Sequence, residues 1–229
     1  MREREHRIKA LDFRICSSIS ETWFRGVDSY ANWFETNYKI KRPIVIRNFP
    51  QKSESPKSFV ENSPKIILYQ GTINYSRGID KMIEAMQFIE NAEFHIAGRG
   101  PFLEEYQQLT RNLHLENKVK FLGNLHPDDL RKITEKADVG LSIEENKGLS
   151  YYYSLPNKIS DYIQARVPVV VSKFPEMQKI VENYHVGEFI TSPLRTSFAI
   201  TFCPSVNSSF RLLSATHFLI NVSCTLHLS

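Results

Sequence analysis

The sequence predicts an α/β protein whose main part is a Rossmann-like, doubly wound parallel sheet, preceded by a short remnant of another domain. Three observations carry this expectation. Short apolar runs recur between residues 65 and 190, each followed by a stretch with helical periodicity. The runs are continuous rather than alternating, as in strands covered on both faces. Several close on glycine, which lets a strand turn tightly into the next helix.

The elements follow in order. Before the repeat, residues 1–50 contain a helix around Ser29 to Tyr38 and a strand "PIVIRN" over 43–48. Fifty residues are too few for an independent α/β core, so this part reads as the end of a preceding domain. The polar, proline-containing stretch 51–64 reads as a linker. "KIILYQG" (65–71) is the first strand of the main domain, and the helix after it carries Ile79, Met82, Ile83, Met86 and Ile89 at helical spacing. "AEFHIAGRG" (92–100) is the second strand, with Pro101 at the start of its helix. "KVKFLGN" (118–124) is the third, and "HPDDLRKITEKA" (126–137) follows as a helix with acidic residues in its first turn. "DVGLSIEE" (138–145) is the fourth strand. "SLPNKISDYIQARVPVVVS" (154–172) supplies a helix and the fifth, and "FPEMQKIVENYHVGEFI" a last helix and the sixth.

The tail, 191–229, differs in kind. It holds two arginines, no lysine and no carboxylate, but two of the three cysteines and four phenylalanines. It reads as a packed apolar extension or as sequence out of the native frame beyond Ile190.

Composition excludes several classes. A net charge of +4 in 229 residues does not argue for nucleic acid. No run of about 18 apolar residues is present, and the charged start is unlike a secretory signal. Cys16, Cys203 and Cys224 lack metal-site or disulfide spacing, so a cytoplasmic protein without a metal is expected.

Ligands of such sheets bind at the carboxyl ends of the strands. Those ends are marked by Gly71, by Gly98 and Gly100, by Gly123 and by the loop before Leu155, all expected on one edge. Arg77 lies between Gly71 and Gly78, where it reads either as a phosphate ligand or as a solvated arginine. Gly98 and Gly100 lack the third glycine of a dinucleotide fingerprint, and read as clearance for a ligand. In the 154–172 stretch, Ser154 and Asn157 can cap the helix. Lys158 is unfavourable in a first helical turn unless an anion lies nearby, and Asp161 shares its face one turn on. The pair therefore serves a phosphate and a ribose diol, or forms a surface ion pair. Glu144 and Glu145 suit ligand hydroxyls or solvent. Tyr151 to Tyr153 read as packing or as a stacking surface. His126 caps or flanks a helix, His95 is structural in its strand, and His185 lies in a turn.

Together, "YQGTINYSRGIDKMIEAM", "HIAGRGP", "VKFLGNLHPDDLRKITEKADVGLS" and "SLPNKISDYIQARVPVVVSKFPEMQKIVENYHVG" resemble the C-terminal, donor-binding domain of GT-B glycosyltransferases of the group 1 (family 4) type. "PIVIRNFP" is similar to the segment that closes the family's N-terminal domain. The resemblance implies retaining sugar transfer from a nucleotide-sugar, UDP- or GDP-linked, to an acceptor hydroxyl, without a cofactor or bound metal. It puts the donor diphosphate at Gly71, Thr72, Arg77 and Lys158; Thr72 stands where the family often has a second basic residue. It puts ribose and base at Asp161, Gly98, Gly100, Gly123 and Asn124, with Asp161 replacing the usual glutamate. The donor sugar falls at Ser154, Leu155 and Asn157, and Tyr153 stands where many members carry another glutamate. Most of an acceptor domain is absent by this comparison. Donor binding is therefore the activity expected of the chain, with a glycan or lipid-linked acceptor and a separately encoded N-terminal-domain chain as implied partners. Placement at the inner membrane face is implied in the same way. A nucleotide-sugar epimerase and a non-catalytic module are the alternatives.

Overall fold

The computed structural model describes residues 23–47 and 62–190. The cysteines, the tail from Thr191 and all but the last three residues of the expected linker lie outside these ranges. The chain divides into two compact units after Asn48. In the first, β1 (Trp23–Arg25), α1 (Asp28–Tyr38) and β2 (Ile44–Ile46) form a βαβ unit with parallel strands. Strand β1 carries no signal in the sequence reading; three residues are too short for a detectable period. Asp28 receives Arg42 at 2.6 Å and Arg47 at 2.5 Å, which hold its carboxyl below the usual range.

The second unit is built on β3 (Lys65–Gln70), β4 (Ala92–Ala97), β5 (Val119–Gly123), β6 (Val139–Ser142), β7 (Val169–Ser172) and β8 (Gly187–Ile190). All six strands are parallel, in the order β5-β4-β3-β6-β7-β8. The helices between them are α2 (Ile79–Ala85), α3 (Leu103–Asn112), α4 (Pro127–Lys136), α5 (Leu149–Tyr152), α6 (Asn157–Gln164) and α7 (Pro175–Tyr184). The expected Rossmann-like sheet is thus present. Its two faces bury separate cores. Ile67, Tyr69, Phe94 and Ile96 pack with Met82, Ile83 and Met86 on one side. Leu68, Val169 and Val171 pack with Ile159, Tyr162 and Met177 on the other. Apolar side chains on both faces explain the unbroken apolar runs.

From β3 the chain winds outward to β5, then returns to the other side of β3 and winds outward again through β8. The order therefore reverses between β3 and β6, and in a parallel sheet this is where strand ends part and a crevice opens. The β3–β6 ladder spans only Ile67–Val139 and Leu68–Gly140. Beyond it the Tyr162 hydroxyl bridges the gap, accepting from Gln70 N–H at 3.1 Å and donating to the Leu68 carbonyl at 3.0 Å. The Tyr162 ring fits against β6 because position 140 is glycine: a Cβ there would lie 2.4 Å from the ring.

Local start signals act as expected at α4, where His126 caps through Nδ1 and Pro127 occupies the first turn. They fail at α6. Its N-cap is Pro156, with no side-chain cap; Ser154 Oγ instead donates to the Tyr151 carbonyl, and Asn157 is exposed. The fourth strand stops at Ser142, so Glu144 and Glu145 belong to a loop.

Candidate functional site

The loops that leave β3, β4 and β5 meet at one edge of the sheet, as the glycines suggested. Gly71 N–H bonds the Ala97 carbonyl at 2.9 Å, Gly98 N–H the Gly123 carbonyl at 2.8 Å, and Ile73 N–H the Arg99 carbonyl at 2.9 Å. Gly98 and Gly100 are required first by the packing of these loops on one another. A Cβ at Gly98 would sit 1.8 Å from the Gly71 carbonyl oxygen, and one at Gly100 would sit 1.9 Å from that of Ile73. Backbone packs on backbone there. Gly71 is different: its φ is +131°, and only the Tyr69 hydroxyl comes within 4 Å of a Cβ position. Thr72 is exposed and its carbonyl accepts from that hydroxyl at 2.7 Å. Gly123 has φ +69°, and the adjacent Asn124 is exposed.

At the switch point Arg77, from the loop after β3, and Lys158, from the first turn of α6, converge on the carboxylate of Glu144, from the loop after β6. Arg77 Nη1 donates to Glu144 Oε2, and Lys158 Nζ lies 3.4 Å from Oε1. The Glu144 side chain is fully buried, and its backbone is clamped by Ser172, whose hydroxyl accepts from Glu144 N–H and donates to the Glu144 carbonyl. Lys158 is buried over the Tyr69 ring, 4.1 Å from its centroid. Loss of hydration lowers its ammonium to about 8; Glu144 opposes that fall and Arg77 adds to it. Burial raises the Tyr69 hydroxyl above its ordinary range. Arg77 remains partly accessible, with its guanidinium 5.2 Å from the Tyr151 ring.

These contacts overturn three readings. Arg77 is not a solvated arginine, and Lys158 is not half of a surface ion pair with Asp161. Glu144 meets neither solvent nor open space; its neighbour Glu145 is held by Lys81 and by Lys147 at 3.3 Å. The anion that the placement of Lys158 called for is supplied, in this structure, by the protein itself. The sequence marked Glu144 by its place after the fourth strand but not its role as a counter-charge, because its partners lie 67 and 14 positions away.

Asp161, one helical turn beyond Lys158, belongs to a second arrangement with other partners. Gln70 Nε2 donates to Asp161 Oδ2 at 2.9 Å, and Thr134 Oγ1 donates to Gln70 Oε1 at 2.8 Å. Partial burial raises the Asp161 carboxyl, against the Gln70 hydrogen bond and the charge of Arg131. These residues line a cavity of about 230 Å³ with Leu125, Leu130 and Arg131. Gln70 and Thr134 were not singled out in the sequence. Their buried amide and hydroxyl became meaningful only when strand and helix met. Leu155 packs against the second core, and the Tyr152 ring meets Tyr153 edge-on at 5.0 Å and Phe174 at a tilt at 5.5 Å. Among the described residues no group of three His, Cys, Asp or Glu is placed to hold a metal, and no helix is long and apolar enough to cross a membrane.

This arrangement can be set against known proteins. The family described as glycosyl transferases group 1 matches residues 50–200. An uncharacterized glycosyltransferase of Methanocaldococcus jannaschii is 32% identical over 129 residues, 54% of this chain and 31% of that protein. The alpha-monoglucosyldiacylglycerol synthase of Streptococcus pneumoniae is 23% identical over 155 residues, 65% of this chain and 33% of that protein. The chain thus spans about a third of the length of these curated relatives. In fold, it is similar to S. aureus TarM, crystallised as a mutant with Fondaparinux, alpha-GlcNAc-glycerol and UDP. The TM-score is 0.61 at 19% identity, over 79% of this chain and 35% of that one. These matches do not favour the epimerase alternative. With a family match over more than half of its length, the chain belongs to the group 1 glycosyl transferases.

Proposed function

We propose that residues 65–190 form the donor-binding, C-terminal domain of a retaining, family 4 glycosyltransferase of GT-B fold, and that this domain's own contribution is to hold a nucleoside diphosphate-sugar. The observation that carries the reading is the meeting of Arg77 and Lys158 at the switch point between β3 and β6. Two cations there suit a diphosphate. Arg77 has guanidinium N–H groups beyond the one given to Glu144, and Lys158 offers an ammonium at a helix start. As the sugar leaves, charge develops on the terminal phosphate, and fixed cations in a poorly hydrated crevice stabilise it. Asp161, oriented by Gln70 beside the cavity, accepts the ribose hydroxyls, with the base toward Gly98, Gly100, Gly123 and Asn124. The sugar lies toward Ser154, Leu155 and Asn157; Gly71, which has no Cβ, leaves room for the phosphates beside Thr72.

The donor is UDP- or GDP-linked, and the UDP in the TarM crystals makes UDP the first probe. No metal or cofactor takes part in this scheme. A glycan or lipid-linked hydroxyl compound is the acceptor, brought by an N-terminal domain or a partner chain, in the cytoplasm or at the inner membrane face. Calorimetric titration tests the donor site. Arg77→Ala and Lys158→Ala should each weaken UDP or GDP binding by about 10- to 100-fold, the size of a lost charge-assisted hydrogen bond. Both variants should keep a cooperative melt. Wild-type affinity in both would defeat the proposal.

A further inference from the structure

We propose that Glu144 is a positioning residue: its buried carboxylate holds the Arg77 guanidinium and the Lys158 ammonium together as a ready-made seat for a donor diphosphate. This rests on the donor site proposed above. Four features point to it. The Glu144 side chain has no solvent exposure and is pinned at its backbone by Ser172. One carboxylate oxygen takes Arg77; the other, Oε1, has no hydrogen bond and faces Lys158 at 3.4 Å. A buried carboxylate is costly unless its charge is used, and here its two oxygens face the two cations. Those cations come from segments 81 positions apart (158 − 77 = 81), and Glu144 is the group that touches both.

The groups facing Lys158 are Tyr69 of β3, Arg77 of the following loop and Glu144 of the loop after β6. Burial and Arg77 both disfavour its charged form, so Glu144 is the influence that keeps the ammonium protonated. Without it, Lys158 would lose its proton at lower pH and present a neutral amine to phosphate. Arg77 would also lose the anchor that fixes its orientation.

The test is Glu144→Gln, which keeps the shape and removes the charge. The Lys158 titration midpoint is read by NMR of ¹³C-lysine-labelled full chain without ligand, assigned with Lys158→Arg. It should fall by about one unit or more. UDP affinity at pH 6 and at pH 8 is then measured by calorimetry. For a one-unit fall from about 8, the pH 6 to pH 8 affinity ratio should increase by about fivefold over wild type. Glu144→Asp, which keeps a shorter carboxylate, should restore most of the wild-type midpoint. It also carries the test if the glutamine variant does not fold, since the retracted charge still gives a smaller downward shift. An unchanged midpoint in Glu144→Gln, or in Glu144→Asp where only that variant folds, would overturn the role of Glu144. A lowered midpoint in a chain that binds no UDP would uphold that role and refute the donor site instead.

Discussion

At the scale of the residue, the central group is Lys158, a lysine the fold buries at a cost. Its folded-state pKa, about 8, lies below the value of an unfolded lysine, about 10.4. Between these values the unfolded chain binds more protons, so stability attributable to this group rises with pH from about 8 to about 10.5. Below that window both states are protonated and the full penalty is present. Lys158→Met, of similar length and uncharged, should therefore raise stability at pH 7 by about 1–3 kcal/mol. The gain should vanish by pH 10.5, and denaturant melts at the two pH values read it. The same variant should lose nucleotide affinity, the pattern of a residue retained for function against stability. Asp161 shows a milder form of this conflict, with its carboxyl raised by partial burial while Gln70 and Arg131 resist.

At the scale of the element, the site exists because β3 and β6 separate after Leu68 and Gly140. The separation would leave Gln70 N–H without a ladder partner, and Tyr162 on α6 supplies one. Its hydroxyl has one proton, which goes to the Leu68 carbonyl while that of Leu141 stands 3.4 Å away. Tyr162→Phe keeps the ring against Gly140 and removes only this bridge. Orphaning a buried N–H and carbonyl should cost about 1–3 kcal/mol in a denaturant melt. Gln70 should also loosen, since its backbone and amide are held from the same helix, and UDP binding should weaken with it. A Tyr162→Phe variant with unchanged stability would show that water or an adjusted ladder replaces the hydroxyl.

At the scale of the whole molecule, a ligand that binds only the folded chain stabilises it by mass action. UDP or GDP at about 100 times its dissociation constant should add about 2.7 kcal/mol, seen as a raised melting temperature, and NAD should add nothing. A melt unmoved by every nucleotide would mean that the two-cation site is not open to a diphosphate. The sequence by itself determined the alternation of strands and helices, the parallel sheet and the edge on which its loops gather. Those properties are set by local periodicity and by glycine, proline and capping residues within a few positions of each other. It also put Arg77 and Lys158 forward, because a cation near a strand end or a helix start is a local anomaly, and Asp161 with them as the carboxylate one turn from Lys158. What only the tertiary structure decided was how these residues are used. Glu144 as a shared counter-charge, the Thr134–Gln70–Asp161 relay and the Tyr162 bridge each join segments far apart in the chain. The packing role of Gly98 and Gly100 was hidden for the same reason, since the backbone they admit belongs to another loop. Burial and charge pairing depend on what the fold brings alongside, and no window of sequence contains both partners.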